Sequence, residues 1–97
     1  MTLSITYSGK ASQDVIKIYQ DTAKQWGINQ ADKYDSGLVN TLKLLQNNPY
    51  LGRDRSDINK GYHHFKYERH IIFYKIRQHD LLIIRILHER MDAVRHI

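Results

Sequence analysis

Two apolar runs separated by three polar residues constrain this chain more than any other feature. His70–Arg77 (HIIFYKIR) and Leu81–His88 (LLIIRILH) are its most apolar segments. Both are rich in the Ile, Leu, Phe and Tyr that fit a pleated, mostly buried surface. Gln78-His79-Asp80 between them suits a tight hairpin turn. Alternation groups Ile72, Tyr74 and Ile76 on one face of the first strand, opposite Ile71, Phe73 and Lys75. In the second strand it groups Leu82, Ile84, Ile86 and His88, opposite Leu81, Ile83, Arg85 and Leu87. Strands that are apolar on both faces belong in the middle of a sheet, with helices over one face and other cover on the second. Arg85 breaks this pattern, on the face expected to point away from the helices. A buried arginine without a partner is costly, so Arg85 must pair with an acid or open onto a ligand surface. Gly61–Tyr67 adds a third alternating strand, with His63, Phe65 and Tyr67 on one side.

The first sixty residues read as the cover for that sheet. Leu3-Ser4-Ile5-Thr6-Tyr7 alternates as a short strand and is broken by Ser8-Gly9. From about Ala11 to Trp26, apolar groups at Ala11, Val15, Ile18, Tyr19, Ala23 and Trp26 form one helical stripe. Ser8 or Ser12 can cap its start, and Gly27 suits its end. A second helix is expected from about Gln30 to Gln46, capped by Asn29 with Asp32 three residues on. Its stripe is Ala31, Tyr34, Leu38, Leu42 and Leu45, and Asn47-Asn48-Pro49 ends it. So short a link between two amphipathic helices makes an antiparallel helical hairpin. Pro49–Lys60 has no periodicity and reads as a long loop with interleaved Arg53, Asp54, Arg55 and Asp57. Glu89–Ile97 can form a short final helix, with Met91 and Val94 on one side.

Composition narrows the possible functions. Ninety-seven residues make a single domain spanning 1–97. No run is long enough to cross a membrane, no signal-peptide pattern precedes the first strand, and there are no cysteines, so a cytoplasmic protein is expected. The net charge of +5 favours an acidic partner. Residues 62–97 hold seven Lys and Arg against four Asp and Glu, and the histidines add cationic capacity below neutral pH. No metal or cofactor is expected. His88-Glu89-Arg90-Met91-Asp92 carries Asp92 where a second histidine would complete a zinc motif, and the adjacent His63 and His64 point to opposite faces of a strand. A phosphate-binding glycine loop and a serine or cysteine nucleophile motif are also missing. The residue types for breaking RNA are present in Arg85, His88, Glu89 and several tyrosines, but their spacing specifies no mechanism.

The order of elements is strand, helical hairpin, long loop, three antiparallel strands and a short helix. With four stretches it resembles the RelE/ParE superfamily of bacterial toxins, closest to the ParE branch. The stretches are Asp14-Val15-Ile16-Lys17-Ile18-Tyr19 with Gln25-Trp26-Gly27, Asn48-Pro49-Tyr50-Leu51-Gly52-Arg53, His70-Ile71-Ile72-Phe73-Tyr74, and Ile84-Arg85-Ile86-Leu87-His88-Glu89-Arg90-Met91-Asp92. The resemblance implies an α+β fold, β-α-α-β-β-β, with the hairpin packed on an antiparallel sheet. It also implies a toxin of a type II toxin–antitoxin system. ParE-like members poison DNA gyrase by binding it and so block replication, whereas RelE-like members cut messenger RNA on the ribosome. No tyrosine follows Tyr74, which departs from the RNA-cutting pattern and favours gyrase. The ribonuclease and a non-toxic interaction domain of the same fold stand as alternatives.

A gyrase poison would meet nucleic acid only through gyrase and need catalyse nothing itself. The expected gyrase contacts are Arg85, His88, Arg90, Met91 and Arg95 on the open sheet face and C-terminal segment, with Arg53 and Arg55 from the loop. The other expected partner is a ParD-like antitoxin, acidic and folding as it binds. Leu3, Ile5, Tyr19, Trp26 and Tyr34 are its candidate contacts.

Overall fold

The computed structural model describes residues 3–97. Strand β1 (Ser4–Tyr7) leads into α1 (Gly9–Trp26) and α2 (Ile28–Asn47). A 3₁₀ turn at Pro49–Leu51 precedes β2 (Arg53–Asp54), followed by β3 (Tyr62–Tyr67), β4 (His70–Ile76), β5 (Asp80–His88) and α3 (Ala93–His96). The five strands lie in the order β1-β5-β4-β3-β2. β3, β4 and β5 form the antiparallel meander that their alternation predicts, and both apolar strands are interior. β1 joins β5 in parallel, so the sheet is mixed. The helical hairpin covers one face. Ala11, Leu38, Leu42 and Leu45 pack there against Ile72, Tyr74, Leu81, Ile83 and Ile86. Burying each large side chain of this kind contributes roughly 1.5–3 kcal/mol.

Ser8 is the cap of α1. Its hydroxyl oxygen accepts from the Ala11 N–H at 3.0 Å and donates to the Ile84 carbonyl at 2.7 Å, fixing the helix start to β5. The start of α2 differs from expectation. It begins at Ile28 with no side-chain cap, and Asn29 lies inside the first turn. Gly27, at φ 94°, turns the chain between the helices as a single residue, so α2 starts before the Asn29–Asp32 pair can act as a cap.

Segment 49–60 is more ordered than its lack of periodicity suggests. Tyr74 is fully buried, and its hydroxyl donates to the Pro49 carbonyl at 2.7 Å and accepts from the Gly52 N–H at 3.0 Å. The pinned backbone then pairs Arg53 with His64 and Asp54 with His63. A core tyrosine thus organises a segment whose own side chains carry no pattern.

The faces of β5 also need correction. Phe73 pairs with Arg85 but Tyr74 pairs with Ile83, so Ile84 is the extra residue of a bulge. The bulge resets the alternation, and Ile86 joins Leu81 and Ile83 in the core rather than Leu82 and Ile84. On the other face Phe73 and Leu87 are buried, while Ile71, Lys75 and Arg85 are only partly so. The final helix is shorter than expected. The Asp92 carboxylate accepts from the Val94 N–H at 3.1 Å and starts the helix only there, leaving Met91 and Val94 exposed.

A side chain at Gly52 would collide with the Tyr74 hydroxyl and the His64 carbonyl. Gly52→Ala is therefore expected to destabilise the fold by roughly 1–3 kcal/mol in urea unfolding. An unchanged midpoint would show that Tyr74 does not hold this segment.

Candidate functional site

One large cleft, of about 1340 Å³, opens between the hairpin and the end of the sheet. One wall is the polar flank of α1 and α2, with Lys17, Trp26, Lys33 and Tyr34. The other is the β3–β4 turn with Arg69 and His70, the end of β5 with Arg85 and His88, and then Arg90 and Met91. Trp26 is 68% exposed, so its large apolar surface is free at the rim. The cleft is cationic with an apolar edge, which suits an amphipathic acidic segment better than a small neutral molecule.

Arg85 is held at the back of this cleft. Its Nε and Nη2 donate to the two Asp14 oxygens at 2.8 and 2.9 Å, and its Nη1 donates to the His96 carbonyl at 2.6 Å. Asp14 Oδ2 also accepts from the Ile86 N–H at 3.0 Å. Pairing of β1 with β5 ends at Tyr7 and Ile83, so Asp14 serves a strand edge that β1 no longer reaches. The side chains of Arg85 and Asp14 are only 16% and 14% exposed. A bidentate pair in so little water is strong and geometrically specific.

Beside it stands a cluster of rings. The Tyr34 hydroxyl lies 2.6 Å from His70 Nδ1, and the His70 and His88 ring centroids are 5.4 Å apart in an edge-to-face arrangement. Burial pushes the Tyr34 phenol up to about 12, opposed by the Arg69 N–H that hydrogen-bonds to it. That phenol stays protonated near neutral pH and can donate to His70. Burial also pushes the His70 imidazole below its ordinary value, helped by His88 and opposed by Glu89 and Asp14.

The cleft brings together six of the residues singled out in the sequence: Trp26, Tyr34, Arg85, His88, Arg90 and Met91. The others lie elsewhere. Leu3 and Ile5 pack against the core. Tyr19 is half-buried and donates to Asp32 at 2.5 Å. Arg53 and Arg55 line a separate depression with Asp54, Asp57 and His64, where Arg55 is paired with Asp57. Arg95 is exposed on α3, near Asp92. Sequence reasoning missed Asp14, Lys17, Lys33, Arg69 and His70. The helical ones sit on polar faces that resemble ordinary solvated surface, and Arg69 and His70 resemble turn residues. Only the unexplained charge of Arg85 pointed to Asp14.

Residues 5–93 match the family model described as the ParE toxin of the type II toxin–antitoxin system parDE. A protein named Toxin ParE1 from Mycobacterium tuberculosis is 30% identical over 91 residues, covering 93% of each chain. Another named Toxin ParE1, from Caulobacter vibrioides, is 29% identical over 90 residues, again covering 93% of each. Among solved structures, a chain of the chromosomal ParDE toxin–antitoxin system of P. aeruginosa superposes with a TM-score of 0.77 at 22% identity, covering 90% of this chain and 96% of that one.

The histidines give the fold a predictable pH response. His64, like His70, is pushed below its ordinary 6.5, first by burial and then by Arg55 and Arg53, against Asp57. Protons therefore bind the unfolded chain more readily, and stability falls as pH drops below about 6.5. Urea unfolding between pH 7.5 and 5 is expected to show this decline and to lose much of it in His64→Gln/His70→Gln. An equal decline in the double variant would assign it to other groups.

Proposed function

The chain belongs to the family of ParE toxins of type II toxin–antitoxin systems, and from that membership we propose that it poisons DNA gyrase, blocks replication and is neutralised by a ParD-like antitoxin seated in the cleft. The observation that carries the antitoxin half is the cleft itself. Exposed Trp26 can take the apolar side of a helix that folds on binding, while Lys33, Arg69 and Arg90 face its acids. The +5 charge speeds encounter with such a partner, and the rate should fall as salt rises.

Gyrase is engaged by binding rather than by catalysis. Arg85 is committed to Asp14, so we assign it to bracing the site. The exposed cations Arg53, Arg90 and Arg95 are the better gyrase contacts, with His88 and Met91 beside Arg90, and Arg55 a secondary contact because Asp57 holds it. Arg90, His88 and Met91 line the cleft proposed for the antitoxin. An antitoxin seated there covers part of the gyrase-binding surface, which accounts for neutralisation without an allosteric step.

Purified gyrase with ATP, supercoiled plasmid and this protein is expected to accumulate protein-linked linear DNA. Folded, growth-inhibiting protein that traps none would overturn the gyrase assignment. Arg53→Ala/Arg90→Ala/Arg95→Ala is expected to need at least about tenfold more protein for the same trapping, since each lost charge contact costs on the order of 1 kcal/mol. Full potency in this variant would place the contacts elsewhere.

A further inference from the structure

The Tyr34–His70–His88 cluster lies within the cleft, and neither the packing of the core nor the gyrase assignment, which uses only His88, explains why the three rings stand together. Each imidazole has one nitrogen engaged. His70 Nδ1 faces the Tyr34 hydroxyl at 2.6 Å, and His88 Nδ1 accepts from the Arg90 N–H at 3.2 Å. A neutral imidazole that accepts at Nδ1 carries its proton on Nε2. No buried side-chain nitrogen among the described residues lacks a partner. Neither Nε2 has a partner within the described chain, so both N–H groups open to the solvent of the cleft. The ring centroids are 5.4 Å apart, edge to face, close enough for both imidazoles to border one bound anion.

The charges around the pair favour an anion. Arg69 and Arg90 line the same cleft. Of the nearby acids, Asp14 is committed to Arg85, Glu89 to Lys66 at 2.9 Å and Asp21 to Lys17 at 3.3 Å. Glu68 lies in the β3–β4 turn and is exposed. Tyr67 turns its hydroxyl away, donating to the Tyr34 carbonyl at 2.8 Å.

We propose that the Nε2–H groups of His70 and His88 form a carboxylate-binding subsite, filled in the neutralised complex by one aspartate or glutamate of the antitoxin. This rests on the cleft being the antitoxin's seat. The two imidazoles then differ in role. On protonation, His70 Nδ1–H can donate to the Tyr34 hydroxyl oxygen, which accepts as well as it donates. His88 has no such freedom, because a proton on its Nδ1 would face the Arg90 N–H. His70 can therefore take a proton and keep its bond to Tyr34, while His88 contributes a donor through Nε2. A bound carboxylate favours protonated His70, so the complex tightens as pH falls.

The subsite can be tested without the antitoxin, by following the histidine side-chain ¹⁵N resonances of the full chain during titration with acetate at constant ionic strength set with chloride. Saturable shifts of both His70 and His88 Nε2, lost in His88→Gln, are expected. Unmoved resonances would overturn the subsite. The second measurement is the affinity of the purified product of the neighbouring antitoxin gene at pH 7.5 and pH 5.8. The expected result is roughly three- to tenfold tighter binding at the lower pH, because a carboxylate beside His70 favours its charged form. That gain should vanish in His70→Gln and in His88→Gln, each checked for folding by circular dichroism. Tight binding whose pH response is the same in wild type and both variants would overturn the carboxylate contact and leave the antitoxin assignment standing. Acetate shifts with no binding of the neighbouring product would overturn the antitoxin as occupant, and with it the assignment of the cleft.

Discussion

The ion pair between Asp14 and Arg85 is the interaction on which the rest of the molecule depends. It sits where β1 gives out beside β5, next to a bulge at Ile84 that resets the alternation and puts Ile86 in the core. One carboxylate accepts both the Arg85 fork and the Ile86 N–H, and so replaces the missing neighbour strand. The third Arg85 nitrogen holds the His96 carbonyl and brings the C-terminal turn back to the sheet. Helix, sheet and C-terminus are therefore tied at one point, and that point is the back of the cleft. Removing either charge would leave its partner poorly solvated and open all three contacts together.

This placement makes the cleft both cationic and rigid at its floor while its rim stays exposed. Trp26 and Met91 lie free at the edge, where a folding-on-binding partner gains apolar burial without disturbing the core. Among the described residues, Lys33, Arg69 and Arg90 are the lining Lys and Arg side chains without an ion pair; they belong to three different segments and converge only in the fold.

The local parts of this architecture were legible in the sequence. Alternation placed β3, β4 and both faces of β4, and spacing of three and four placed the apolar stripes of both helices, except that Trp26, counted in the first stripe, is exposed. The Trp26–Gly27 boundary followed from chain chemistry alone. What was not legible depended on contacts between distant residues. Nothing local in Ser4–Tyr7 says that it pairs in parallel with β5. Ile84 has no feature marking it as a bulge, and so Ile86 was assigned to the wrong face. Asp14 lies 71 residues from Arg85 and looks like any polar residue on an amphipathic helix. The loop before β3 took its order from the Tyr74 hydroxyl, which reads from sequence only as a core ring. The cleft was half visible, since its exposed aromatic and its strand-end residues stood out while its helical lysines did not.

The most direct test of this account is a double-mutant cycle on Asp14→Ala and Arg85→Ala, read by urea unfolding. A pair this buried should show a coupling of at least about 1.5 kcal/mol, with the double variant losing clearly less stability than the sum of the two single losses. A coupling within about 0.5 kcal/mol of zero would mean that the two charges act independently. Arg85 would then be free for a partner, and the brace on which the cleft is built would have to lie elsewhere.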